Sequence, residues 1–295
     1  MNKYAPAVPI TTFAFLSLSS LTIFLPIAIE SEVNWVIIYS IILVMNFVDG
    51  IIQSLLYGLS GAINKTFITS LNIGCSISGL VINSIRAFTL LSYSNETSGS
   101  SKSSFNEVMV YFIIAAIILS ASSILMIHLS NTDLYKYHRR LKKNEFKKHN
   151  KTEPQINHEN VGFKIEYILI LVIYAQTLTV FPAVLLNGGL NFIKNESWKV
   201  WFIVTLFNLF DVIFKYLSVK STYHTSRSVI SLTLFRFIPI LVAIYSPHIS
   251  SDFIKVVNII VLAATNGYIG NSALILGITN TEDKHREIVG RKMSF

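Results

Sequence analysis

Val204-Thr205-Leu206-Phe207-Asn208-Leu209-Phe210-Asp211-Val212-Ile213-Phe214-Lys215 places three polar side chains inside an apolar run. Asn208, Asp211 and Lys215 are spaced by three and four residues, so they stack on one face of an α-helix. A carboxylate in the middle of a membrane segment is costly, and it normally faces a polar interior and takes a partner. Working outward from this stretch, the chain reads as a membrane protein with a water-accessible internal path, the pattern of a carrier.

Composition agrees. Of 295 residues, 52% are hydrophobic and only 14% charged, against about 25% charged in soluble domains. Crossing the hydrocarbon takes about 20 mainly apolar residues. Eight such segments are expected, at 9–29, 34–61, 67–93, 107–129, 165–189, 199–218, 228–246 and 255–278. They are apolar nearly all round, unlike the striped helices of a water-soluble core. Their length also excludes a β-barrel, whose strands are short and alternate in polarity. The predicted fold is an all-α, polytopic helical membrane protein. The first segment carries Pro9 and Pro26 and no small-residue cleavage pattern follows it, so it reads as a retained span.

Charge placement orients the spans. The net charge is +8, and basic residues crowd the stretch 130–162, with Lys136, Arg139, Arg140, Lys142, Lys143, Lys147, Lys148 and Lys151. With eight spans and both termini cytoplasmic, this stretch and most other Lys and Arg fall on the cytoplasmic side. The plasma membrane is the expected location, with an intracellular membrane as the alternative. Positive-inside topology accounts for the basic run without nucleic acid, since only Tyr135 and Tyr137 offer stacking rings, and attraction to anionic lipid is compatible with it. The run also divides the chain. A four-helix bundle is expected over 1–129, a basic linker over 130–162, and a second four-helix bundle with a short tail over 163–295. Substrate held between two such bundles would suit a rocking carrier.

The remaining motifs refine the site and narrow the chemistry. Asp49 and Gln53, four residues apart on the second span, share a face, either on a cavity wall or as interhelical hydrogen bonds. Ser70, Gly74 and Ser78 form a small-residue stripe on the third span that predicts close helix packing. Arg86 sits deep enough to snorkel or to pair with a carboxylate. Pro182 removes a backbone donor and bends the fifth span, and Arg236, three residues before Pro239, needs a carboxylate for which Asp211 is the natural candidate. Lys215 is the alternative partner of Asp211, along its own helix. Asn95-Glu96-Thr97 and Asn195-Glu196-Ser197 are glycosylation triplets on the outward side. The lone Cys75 has no internal disulfide partner, and the histidines show no metal-ligand spacing. No H-E-x-x-H, G-x-S-x-G or phosphate-binding glycine loop is present, so neither an enzyme nor a cofactor is expected. Oligomeric state is not readable from the sequence.

Several of these motifs together resemble the equilibrative nucleoside transporter family. Phe207-Asn208-Leu209-Phe210-Asp211 is similar to its FN-x-x-D signature, and Thr177 with Phe181-Pro182-Ala183 to its T-x-x-x-F-P-A. Arg236 with Pro239, Asn266-Gly267-Tyr268, Gln53 through Gly61, and Gly74 with Gly79 resemble four further family motifs, in family order. The resemblance implies a major-facilitator-like arrangement of two bundles and passive passage of nucleosides or nucleobases by alternating access. Substrate would meet Asp211, Asn208, Lys215 and Gln53, with Asp49 and Arg236 nearby and Asp211 holding ribose hydroxyls. Phe214-Lys215 departs from the family's Gly-Arg, which loses the planar guanidinium fork. The resemblance also implies that the family's first two spans and its last have no counterpart here. That raises two other readings, a degenerate copy serving as a membrane scaffold and a proton-coupled carrier working through Asp49 or Asp211.

Overall fold

A computed structural model describes residues 7–30, 35–93, 101–133, 135–137, 140, 165–221, 225–282 and 285–294. Among these the chain is helical. Four long helices come first: α1 (Ala7–Glu30), α2 (Trp35–Ile63), α3 (Lys65–Tyr93) and α4 (Ser101–Asn131). After the basic stretch come α5 (Ile165–Val180), α6 (Ala183–Gly188), α7 (Glu196–Lys220), α8 (Ser226–Phe235), α9 (Phe237–Ile244), α10 (Asp252–Thr279) and α11 (Arg286–Met293). Among the described residues eight segments are long and apolar enough to span a membrane, and they coincide with the eight expected from the sequence. The protein is an all-α, multi-pass membrane protein. Most of the linker expected over 130–162, and the triplet at Asn95, lie outside the described residues.

Prolines break two of the spans. The fifth divides into α5 and α6 at Phe181–Pro182, as expected, with a cis peptide at that bond. The seventh divides into α8 and α9 at Arg236, because Pro239 cannot donate to the carbonyl four residues earlier. The first break falls where Pro182 predicts it; the second, before Pro239, is not expected from the sequence.

Contacts group the helices into two units. Residues 1–59 and 96–162 form one, and residues 60–95 and 163–293 the other. The linker-based division puts the third span with the N-terminal helices; its contacts are instead with α7 and α10. The reason is chemical, since α3 carries amide and hydroxyl groups that bond to those two helices, as described below.

In the first unit α1 packs along α4, with Ala14, Leu18 and Ile52 buried at its centre. The Ser19 hydroxyl donates to the Ala116 carbonyl at 2.9 Å and lies 2.9 Å from the Ser120 hydroxyl. In the second unit Val180, Leu185, Ile203, Phe207, Ile240 and Leu262 belong to one buried apolar cluster, and Phe181 stacks on Phe207 with ring centroids 4.2 Å apart. The start of α10 is clasped to the loop that follows α6. The Asp252 carboxylate accepts from the Asn191 and Phe192 amides and the Asn191 side chain, while Lys255 donates to the Gly188 carbonyl at 2.8 Å.

Candidate functional site

The predicted polar face of the 204–215 stretch becomes the centre of the second unit. On α7, Ile203, Phe207, Asp211, Lys215 and Ser218 are buried, a run at spacings of four and three. Asp211 is 4% exposed and Lys215 8%. The Lys215 ammonium lies 2.9 Å from the Asp211 carboxylate, an i,i+4 pair along one helix. Two charges so buried hold together only when their other bonding positions are filled.

Neighbouring helices fill them. From α3, the Ser76 hydroxyl donates to Asp211 Oδ2 and accepts from Lys215 Nζ, and Lys215 reaches the Asn72 carbonyl at 3.5 Å. From α10, Asn266 donates to Asp211 Oδ1 at 2.8 Å. Beneath them, Asn271 donates to the Lys215 carbonyl and the Ser218 hydroxyl and accepts from Asn72 at 3.1 Å. Residues of two neighbouring helices, Asn72 and Ser76 of α3 and Asn266 and Asn271 of α10, thus close around the ion pair on α7.

Gly267 makes this possible. A Cβ there would collide with the Asp211 carbonyl, so only glycine lets α10 approach α7 closely enough for Asn266 to reach the carboxylate. Gly79 on α3 plays a similar part, since a Cβ would fall 2.8 Å from the Asn208 amide nitrogen. Asn208 is half-buried against that glycine, and its side chain makes no hydrogen bond among the described residues.

Arg236 is fully buried but is not an ion-pair partner of Asp211, which pairs with Lys215 instead. Its guanidinium donates to the Ile173 carbonyl at 3.2 Å and to the Thr177 hydroxyl at 3.0 Å. Thr177 lies 2.6 Å from Asn266 Oδ1, and Asn266 bonds Asp211. The arginine is therefore linked to the carboxylate through two neutral side chains. It sits at the break between α8 and α9, where the helix turn offers its side chain to α5 rather than α7.

Three further expectations are placed differently. Asp211 does not line an open gap: it is buried, and all its bonds are made within the protein. The stripe Ser70, Gly74 and Ser78 is exposed, with nothing within 4 Å of a Cβ at Gly74, so it is not the packing face of α3. That face is Asn72, Ser76, Gly79 and Asn83, at spacings of four, three and four, a heptad pattern present in the sequence but overlooked. Asp49 and Gln53 belong to the first unit, where both are exposed and Gln53 donates to Asp49 at 2.8 Å.

Ser76, Asn72 and Asn271 are the site residues that sequence reasoning missed. Single hydroxyls and amides are unremarkable in apolar helices, and only the α3 spacing pointed to two of them. The motif residues Asn266, Gly267 and Thr177, by contrast, all touch the cluster or its relay. Among the described residues no group of side chains could hold a metal ion.

The nucleoside transporter family profile matches residues 39–166 and 161–295, nearly the whole chain. The chain is also similar to equilibrative nucleotide transporter 8 of Arabidopsis thaliana, 23% identical over 254 residues, which is 83% of this chain. It spans 61% of that relative's length. With the signature residues gathered about one buried ion pair, and the family profile matching both parts of the sequence, the chain belongs to the equilibrative nucleoside transporter family.

Proposed function

We propose that the protein carries nucleosides or nucleobases passively across a membrane, by alternating access, with Asp211 as the principal substrate-binding group. One observation carries the reading: a buried Asp211–Lys215 pair whose side-chain partners, Ser76 and Asn266, are neutral donors or acceptors. Ribose hydroxyls present the same chemistry as Ser76 and Asn266, so substrate can take their place on the carboxylate without leaving a charge unsatisfied. In this state the protein's own side chains hold the site closed. Opening exchanges those internal bonds for bonds to substrate.

Asn208 lies one turn from Asp211 on the same face and carries both a donor and an acceptor, which suits it to a base or sugar edge. Lys215 pairs with the carboxylate and orients it. Arg236 is assigned an indirect role, positioning Asn266 through Thr177. Gln53 and Asp49 are assigned to substrate as well, because they form an exposed polar pair in an apolar helix. We place the protein in the plasma membrane, and the crowding of Lys and Arg in the 130–162 stretch supports both termini being cytoplasmic.

Uptake of radiolabelled adenosine and uridine into cells or proteoliposomes tests the reading. Asp211→Asn keeps the size and one acceptor oxygen but removes the charge and leaves Lys215 without its anion, and uptake per folded protein at the membrane falls to background. Uptake by this variant equal to that of the parent would remove Asp211 from the mechanism.

A further inference from the structure

The polar face of α3 continues past the ion pair. Asn83 lies seven residues beyond Ser76, and Val204 lies seven residues before Asp211, so both stand about 10 Å along their helices from the ionic cluster. Between these two levels sit Gly79 and Asn208 in contact. At the far level the seam between α3 and α7 opens into a cavity of about 240 Å³, lined by Asn83, Arg86, Glu196, Val200, Trp201 and Val204.

Asn83 is 9% exposed, and its side-chain nitrogen has no hydrogen-bond partner among the described residues. A buried amide left without a partner costs free energy, so the site favours a ligand that supplies one. Its carbonyl and amino groups lie side by side, which matches the adjacent donor and acceptor on a nucleobase edge. Trp201 is held in place by a 2.8 Å bond from its ring nitrogen to the Asn83 backbone carbonyl, and with Val200 and Val204 it gives the cavity an apolar wall. Arg86 brings a planar cation that lies flat on aromatic faces. Glu196, bonded to Lys199 at 2.7 Å, offers a carboxylate to sugar hydroxyls at the rim.

We propose that this cavity is a second, peripheral nucleoside site, which captures the base before the molecule moves along the α3–α7 seam to Asp211. The inference rests on the nucleoside-carrier reading above. In the orientation given there, the cavity opens at the external end of α3 and α7.

Saturation binding of radiolabelled uridine or adenosine, together with tryptophan fluorescence, tests this on the full chain in lipid nanodiscs. In Asp211→Asn, nucleoside still quenches the fluorescence saturably, because the peripheral site is intact. Adding Asn83→Leu raises the Kd of that quench about 5-fold, the loss of one hydrogen bond. Val204→Phe fills the cavity and removes the quench. Both substitutions, made in the parent protein, leave the Asp211-dependent radioligand binding in place. Asn83→Leu retains the parent's melting temperature, since it replaces an unpartnered amide by an apolar group, and Val204→Phe gives the same answer if it does not.

A quench lost in Asp211→Asn but indifferent to Asn83→Leu and Val204→Phe overturns the peripheral site, with the cavity merely water-filled and the carrier reading intact. Absence of any nucleoside binding to the parent protein overturns both readings.

Discussion

The joint between α1 and α4 and the joint among α3, α7 and α10 are both made inside apolar helices, but they are built on opposite terms. In the first, the Ser19 hydroxyl bonds a carbonyl and a hydroxyl of the facing helix, all neutral groups. In the second, a full ion pair is enclosed by amides and hydroxyls contributed by three helices. Interhelical hydrogen bonds of the first kind average about 0.6 kcal/mol in a membrane protein. Breaking one side of a buried ion pair costs about 3–5 kcal/mol, because the other charge stays behind. The first joint tolerates change piece by piece. The second is close to all-or-none, which is the property a closed state needs if substrate is to replace its bonds as a set.

The largest expected effect comes from splitting the pair. Lys215→Met leaves Asp211 without its cation and should destabilise the protein by about 3–5 kcal/mol, read as thermal unfolding in detergent. The double variant Asp211→Asn with Lys215→Met should recover most of that stability and none of the uptake. Recovery of uptake in the double variant would mean that the pair serves packing alone.

A smaller effect tests the backbone approach that the pair depends on. Gly267→Ala forces a methyl against the Asp211 carbonyl and should cost about 1–3 kcal/mol, with uptake reduced because Asn266 is pushed off the carboxylate. Gly270→Ala, one turn along the same helix, meets nothing within 4 Å. It should be neutral or stabilising by up to about 1 kcal/mol, through helix propensity. Equal behaviour of the two alanine variants would contradict the tight α7–α10 crossing. The smallest effect belongs to the first unit: Ser19→Ala should cost about 0.6 kcal/mol and leave uptake unchanged.

Much of this was legible in the sequence. Spans are read from long apolar runs, and all eight fell where hydrophobicity put them. Asp211 and Lys215 were recognisable as partners because i,i+4 spacing on one helix is a local fact. What crosses between helices was harder. Arg236 was matched to Asp211 because opposite charges in an apolar setting should meet, yet the break at Pro239 turns the guanidinium towards α5, where Ile173 and Thr177 satisfy it. On α3, residue size pointed to Ser70, Gly74 and Ser78, while the packed face is defined by hydrogen-bonding capacity, through Asn72 and Ser76. In a lipid setting, small size and polar capacity are both signs of a helix interface, and only the partner helices decide between them.

The clasp between Asp252 and Lys255 on one side and Gly188, Asn191 and Phe192 on the other has a mechanical consequence. Four hydrogen bonds weld the exit of α6 to the entry of α10, so these two elements must travel as one corner whenever either tilts. Flexing is then left to the discontinuities at Phe181–Pro182 and at Arg236, the two places where the helical ladder is already cut. The second of these is the very residue that reaches Asp211 through Thr177 and Asn266, so a hinge and the electrostatic heart of the protein share one side chain.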